Sequence, residues 1–430
     1  MSYVFIRDIK DYVSQVVTLK GWVFNFRSSG KIYFLQLRDG SGVIQAIVAQ
    51  EKVSKEVWAD CQKITLETSI EVSGLVVEHP KQPGVFELQV ESLKLVNIAR
   101  EYPIGKKEHG TDFLMDNRHL WLRSSRQWAI LRIRNTIINA IYEYFNNNGF
   151  IKVDAPIFTP NACEGTTTLF EVDYFDDKAY LSQSGQLYIE AAIFSVGRCF
   201  DFGPTFRAEK SKTRRHLIEF WMMDAEAAFV EHEENLKIQE AMVCHIVQKV
   251  LKENQAELKI LERDVKALEN IKAPFYKITY AEAVKKLQEL GSDIKQGDDF
   301  GADDETRLTK EYDKPIFVEK FPSAIKAFYM KRDPGDESVA LCADLLATEG
   351  YGEIIGGSQR EDSYEELLKR LKEHKLPEKE FEWYLDLRKY GSVPHSGFGI
   401  GLERTVAWVC GLPHVRETIP FPRMLNRLRP

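Results

Sequence analysis

Residues 203–226 read GPTFRAEKSKTRRHLIEFWMMDAE: an apolar segment running into Arg207 and Glu209, a tip with Lys210, Lys212, Arg214, Arg215 and His216, and a second apolar segment closing in Asp224 and Glu226. Side chains two apart on a strand share a face. A hairpin turning at the basic tip would therefore set Arg207 and Glu209 on one face, and Asp224 and Glu226 on one face of the returning strand. Fixed arginine and carboxylate groups under a cationic tip suit a site that holds a polyanion beside an amine. Taken alone, the tip also reads as a solvated turn.

The remaining sequence narrows the choice. A chain of 430 residues with net charge −7 has length for two or three domains and lacks the basic excess of a general nucleic-acid coat. Its six cysteines, Cys61, Cys163, Cys199, Cys244, Cys342 and Cys410, form no CxxC. That spacing disfavours a zinc cluster and a disulfide framework and predicts reduced thiols in a cytoplasmic protein. The start, MSYVFIRDIKDYVSQ, does not read as a signal peptide, and no window is apolar enough to span a bilayer.

Residues 1–98 contain five short runs rich in Val, Ile and aromatics, broken by Gly, Pro and DGSG turns, with a helix-like stretch at KEVWADCQKIT. This pattern predicts a Greek-key barrel of the OB type, a fold that often binds single-stranded nucleic acid on an aromatic face. Alternation in KIYFLQLRD puts Phe34 opposite Tyr33 and Leu35, with Arg27 and Gln45 on nearby strands. By composition alone, Phe34 reads as core more readily than as a stacking platform.

A connector is expected at 99–120, then an α+β domain over 121–430. QWAILRIRNTIINAIYEYFNNNGF has helical periodicity, and Pro156 in IKVDAPIFTP suits an edge or interface strand. Residues 232–315 read as a charged helical insertion, with KQGDDFGADDETR as a polar loop. GFGIGLERTVAWVCGL is a Gly-rich strand-to-helix junction with Arg404 in the first helical turn. Its GxGxG spacing is not the dinucleotide GxGxxG, and no P-loop occurs, so phosphates would be held by arginines and a helix N-terminus.

These segments, in order behind an OB barrel, resemble the three motifs of class II aminoacyl-tRNA synthetases of the aspartyl, asparaginyl and lysyl subgroup, most closely its asparaginyl members. The resemblance implies an OB anticodon-binding domain followed by a catalytic domain built on an antiparallel sheet flanked by helices. It further implies activation of L-asparagine with ATP to asparaginyl-adenylate, release of pyrophosphate, and transfer of asparagine to the 3′ end of tRNA(Asn). Motif 1 implies a homodimer. Such chemistry places charge more than it moves protons.

Carried onto this sequence, the resemblance implies that Arg207 clamps the α-phosphate and substrate carboxylate and that Arg404 takes the γ-phosphate. Phe220 would stack on adenine, with Glu209, Arg215 and His216 completing the ATP site. Glu353, with Asp344, would ligate Mg²⁺, and His395 would either approach the outer phosphates or order the loop before motif 3. Ser184 and Gln186 would hold the substrate's α-amino and carboxylate groups, with Asp224 opposing the ammonium. Arg360 would read the side-chain carbonyl, and Asp224 or Glu226 would accept from the amide. On the barrel, Arg27, Phe34, Gln45 and Glu87 would contact the anticodon.

Where aspartyl enzymes carry a lysine for the substrate carboxylate, this chain has Ile189. A carboxylate buried without that cation is costly, whereas an amide needs only hydrogen bonds. Asp224 supports an aspartyl-tRNA synthetase as the alternative. A non-catalytic RNA-binding paralogue is a third reading, opposed by the joint presence of Arg207, Glu209, Glu353 and Arg404.

Overall fold

A computed structural model describes residues 3–105, 107–160 and 169–430. The chain divides into two compact units, Met1–Leu114 and Met115–Pro430. Among its described residues the connector has no helix or strand before Thr111. Thr111–Asp116 and Arg118–Trp121 are helical, and Arg118 is buried in the second unit, donating to the carbonyls of Glu417, Ile419 and Pro420.

In the first unit, β1 (Val16–Ser29), β2 (Ile32–Arg38), β3 (Val43–Ala49), β4 (Thr68–Glu78) and β5 (Phe86–Asn97) close a barrel in the order β1-β2-β3-β5-β4. Helix α1 (Lys55–Cys61) lies between β3 and β4 in sequence, capped by Ser54. Alternation decides what faces inward. Leu35, Leu37, Ile44, Ala46 and Val48 are buried, while Phe34, Gln36, Gln45 and Ile47 point to the other face. Phe34 is thus half-buried on the outer surface, outside the barrel core to which composition assigned it.

The second unit is built on a mixed eight-stranded sheet. In chain order its framework is α2 (Ser125–Asn147), β6 (Ile151–Lys152), α3 (Gln186–Val196), β7 (Arg198–Phe206), β8 (Glu219–Ala228), α4 (His232–Glu253) and β9 (Tyr276–Thr279). There follow α5 (Ala302–Thr309), β10 (Ile316–Glu319), β11 (Cys342–Ala347), β12 (Gly352–Gln359), α6 (Glu382–Lys389), β13 (His395–Gly401) and α7 (Leu402–Cys410). The sheet order is β9-β10-β11-β12-β13-β8-β7-β6, antiparallel throughout its middle and parallel at both end pairs. Strand β6 is an edge of two residues because Pro156 follows soon after and cannot extend the ladder.

The stretch read as a charged insertion is different in the structure. Leu236, Met242, Val243, Ile246, Val247 and Val250 of α4 join Ile130, Ile133, Ile137 and Phe145 of α2 in the central core. Charge on one face of α4 masks an apolar stripe at helical spacing on the other. Likewise the polar loop at 295–307 becomes helical from Ala302.

Candidate active site

The quoted hairpin forms as β7 and β8, in register Phe206↔Glu219 to Arg198↔Ala227. Asp224 and Glu226 lie on one face of β8, opposite Gly399 and Gly397 of β13. This pairing explains the alternating glycines. A Cβ at Gly397 would sit 2.0 Å from Glu226 Oε1, and one at Gly399 would sit 2.6 Å from Asp224 Oδ1. The intervening Phe398 and Ile400 fill the core beneath. The glycines therefore clear a floor for two carboxylates.

A cleft of about 980 Å³ opens over this floor, lined by Ser184, Gln186, Arg207, Arg215, His216, Asp224, Asp344, Glu353, Arg360 and Arg404 among others. An adjoining pocket of about 120 Å³ shares Arg207, Arg215, His216, Glu353 and Arg404 and adds Glu209 and Phe220. Of the catalytic-domain site residues expected from sequence, all line these two spaces except His395 and Glu226, the latter buried beneath them and bonded to Arg360.

On one side of the cleft the arginines are partly open. Arg207 continues the hairpin by one step through its N–H to the Ile218 carbonyl, 3.0 Å, and its guanidinium lies 5.4 Å from the Phe220 ring centroid. Arg404 donates to Glu353 Oε2 at 2.9 Å. Glu209 faces His216 Nε2 at 3.3 Å. Burial first, then the cations Arg404, Arg207 and Arg215, lower the pKa of His216, with Glu209 opposing. The basic tip is not uniformly loose. Lys210, Lys212 and Arg214 are exposed, but Arg215 is buried and donates to Glu305 Oε2 at 2.6 Å and the Gly350 carbonyl at 2.6 Å.

Three carboxylates gather here. Asp344 pairs with Lys326 Nζ at 2.8 Å and flanks Gly356 together with Glu353. Burial and the charge of Glu353 raise Asp344 to about 6 and Glu305 to about 7. Against the cost of burial, Arg404, Lys326 and Arg207 hold Glu353 below its ordinary value. Glu353 and Asp344, hard-oxygen groups flanking Gly356, suit a divalent cation such as Mg²⁺. Elsewhere, His232, Glu233 and Glu319 bring ligand atoms within 4.8 Å of one another, but Lys277 already occupies Glu233 at 2.6 Å.

The other side is buried, and its charged groups are paired with one another or with neighbouring polar groups. Ser184 Oγ and the Gly185 N–H both donate to Asp224 Oδ2 at 2.9 Å. Arg360 donates through Nε to Glu226 Oε1 at 3.0 Å, through Nη2 to the same oxygen, and through Nη1 to Ser358 Oγ at 2.7 Å. Burial pushes Glu226 upward, with Glu190 and Asp224 adding to the effect and Arg360 opposing it. Gln186 Nε2 donates to Glu190 Oε1 at 3.0 Å.

Ile189 lies where sequence reasoning did not place it, and His395 takes the second of the two roles the sequence left open. Ile189 does not line the cleft, because its side chain packs with Val153, Ala155, Ile193 and Cys199. His395 is wholly buried, between Glu190 and the Val393 carbonyl, so it orders the strand before motif 3 and does not line the phosphate side. Sequence reasoning also missed Glu190, Glu305 and Lys326. Each acts through a partner that is remote in the chain or sits in a segment read as generic polarity. For Glu305, a signal existed in the acidic first turn of α5 at the end of an apparent loop.

On the barrel's outer face the four expected residues are neighbours, Arg27 exposed, Phe34 and Gln45 half-buried and Glu87 buried beneath them. Arg27 lies opposite Phe34, its guanidinium 4.4 Å from the ring centroid. Gln45 lies opposite Glu87 and donates to it at 2.6 Å. Gln36, paired with Gln45 and bonded to Asn25 at 2.9 Å, completes a polar face with an aromatic centre.

Residues 110–425 match the family described as tRNA synthetases class II (D, K and N), and residues 17–96 match an OB-fold nucleic acid binding domain. The chain is 56% identical to an asparagine–tRNA ligase of Desulforamulus reducens over the whole of both chains. It is 55% identical to that of Sorangium cellulosum over 98% of each. The crystal structure of asparaginyl-tRNA synthetase from Pyrococcus horikoshii complexed with asparaginyl-adenylate superposes with a TM-score of 0.97 at 44% identity, all of both chains being covered. With the fold, the motif order and both family matches in agreement, this chain belongs to the class II tRNA synthetases of the D, K and N group.

Proposed function

We propose that this protein is an asparagine–tRNA ligase that activates L-asparagine with ATP and transfers it to tRNA(Asn). The observation that carries the substrate choice is the buried Glu226–Arg360 pair. Arg360 donates to the side-chain carbonyl of asparagine, and Glu226 accepts from its amide. An aspartate side chain would meet an arginine already neutralised and a carboxylate that repels it, a loss of several kcal/mol relative to the amide. Asp224, held by Ser184 and Gly185, faces the ammonium.

Arg207 orients the substrate carboxylate for in-line attack on the α-phosphorus. The carboxylate oxygen forms the new bond to phosphorus, and the bond to the bridging oxygen breaks to release pyrophosphate. Arg207 also stabilises charge developing on the α-phosphate, and Arg404 binds the γ-phosphate, so positioning and fixed charge supply the acceleration. Phe220 stacks on adenine beside Glu209 and His216. Glu353 and Asp344 would hold Mg²⁺, which when bound would neutralise phosphate charge. The resulting adenylate then yields its acyl group to a hydroxyl at the tRNA 3′ end, with AMP leaving.

The barrel face of Arg27, Phe34, Gln45 and Glu87 binds anticodon bases by stacking and edge contacts. The protein works as a cytoplasmic homodimer. Ile151 of the edge strand, and Ile157 and Phe158 in the segment after it, are each at least 40% exposed, a surface that a second copy would cover. Among the described residues no helix is long and apolar enough to cross a membrane. ATP–pyrophosphate exchange with asparagine and aspartate side by side tests the reading. Exchange with asparagine alone is expected, and exchange with aspartate alone would reverse the substrate assignment.

A further inference from the structure

Glu190 is completely buried, and none of the steps above uses it. Gln186 Nε2 and Tyr384 OH reach its Oε1 at 3.0 and 2.6 Å, while Arg388 Nη2 and His395 Nε2 reach its Oε2 at 2.8 and 3.1 Å. A carboxyl surrounded in this way is satisfied when it only accepts, as the ionised form does. Although burial opposes ionisation, Arg388 and His395 hold the group below the usual carboxylate range.

Two consequences reach the cleft. Gln186 stands one helical turn before Glu190 on α3 and lines the cleft, and because its NH₂ bonds to that carboxylate, the oxygen is the end of its amide suited to a group in the cleft. Gln186 therefore presents an acceptor, which is what an ammonium requires. The charge of Glu190 also acts on both Arg360 and Glu226. It weakens the attraction of Arg360 for any further anion.

We propose that Glu190 is a positioning and specificity residue of the amino-acid pocket: it orients Gln186 toward the substrate ammonium, and its negative charge behind the Glu226–Arg360 pair weakens the hold of Arg360 on an anionic side chain. This inference rests on reading the site as an asparagine pocket. Glu190 touches no substrate and acts through Gln186 and Arg360. Its place next to Ile189 is consistent with that role, since Ile189 faces the apolar cluster while Glu190 faces the buried polar network.

The test is ATP–pyrophosphate exchange on the full-length protein, wild type against Glu190→Gln and Glu190→Asp, with asparagine and aspartate and with thermal midpoints recorded. Glu190→Gln is expected to raise KM for asparagine about 10-fold with a smaller change in kcat, and to raise the aspartate-to-asparagine ratio of kcat/KM about 10-fold. Glu190→Asp keeps the charge on a shorter side chain. It should raise KM for asparagine while leaving the ratio within about twofold of wild type.

A Glu190→Gln ratio equal to wild type, with both substrates losing activity in parallel, would reduce Glu190 to a buried structural group and overturn the proposal. If Glu190→Gln does not fold, Glu190→Asp decides: a raised KM for asparagine with kcat and thermal midpoint nearly kept supports it, and a fall in kcat and midpoint with KM unchanged, or a ratio shifted toward aspartate, overturns it. A wild-type enzyme that fails to exchange with asparagine would defeat the pocket reading itself, and the inference with it, before any variant is compared.

Discussion

The barrel and the sheet domain each set a polar face over an apolar layer, but they hold charge in opposite ways. On the barrel, Arg27 and Phe34 are cross-strand neighbours on open surface, and Gln45 meets Glu87 across one strand pair. In the sheet domain, Glu226 pairs with Arg360, 134 residues away, and Glu190 with Arg388, 198 residues away, all four buried. An open face can adapt to flexible nucleotides by stacking. A buried pocket of paired charges is rigid and can tell an amide from a carboxylate, because any unpaired charge there is costly.

The sharpest way to break this contrast is Arg404→Ala or Arg207→Ala. Either should lower asparagine-dependent pyrophosphate exchange about 10²- to 10³-fold, the usual cost of removing a preorganised charge aimed at the reacting phosphates. Unchanged exchange would mean the phosphate contacts are misassigned. Glu226→Gln should follow closely, with exchange falling about 10²-fold and stability about 3 kcal/mol, because it leaves Arg360 buried without its counter-charge. Urea melts and exchange assays on the same preparation check both parts.

Gly399→Ala tests whether the glycine alternation serves the site. The new Cβ must displace the Asp224 carboxylate, so KM for asparagine should rise about 10-fold while the nucleotide KM holds. Equal shifts in both would point to general disruption of the sheet.

The barrel should answer differently. Phe34→Ala removes a stacking surface worth about 1–3 kcal/mol per base, so tRNA charging should weaken about 10-fold or more while adenylate formation is spared. Parallel loss in both assays would make Phe34 a folding residue.

The smallest expected effect concerns acid stability. Burial first, and then Arg416, depress His414 from 6.5 to about 4. The unfolded chain takes up this proton below about pH 6.5 and the folded chain only near 4, so stability is lost as pH falls through that window. His414→Asn keeps an acceptor for the Arg416 N–H and should narrow the drop in thermal midpoint between about pH 7 and pH 5. An unaltered drop would place the sensitivity elsewhere.

How much was legible follows from the range of each interaction. Period-two alternation is local, so the barrel strands, the placing of Phe34 on the face opposite Leu35, and the shared face of Asp224 and Glu226 could be read directly, whereas which barrel face turns inward could not. Helical periodicity exposed α2 but not the core role of α4, whose charged face dominated its composition. Ile189 was informative as the absence of a lysine. Its direction was not legible, because on a helix flanked by core on one side and polar network on the other, one position of rotation changes the neighbour completely.

By itself, then, the sequence determined the order of the elements, the glycines that make room for carboxylates, and the set of arginines available for phosphate. Only the tertiary structure decided which charges are spent on each other. Arg215 goes to Glu305, Lys326 to Asp344, Arg360 to Glu226 and Arg388 to Glu190. Such pairs join segments brought together by sheet closure, and a Coulomb interaction depends on distance and burial in space, which residue spacing along the chain does not encode.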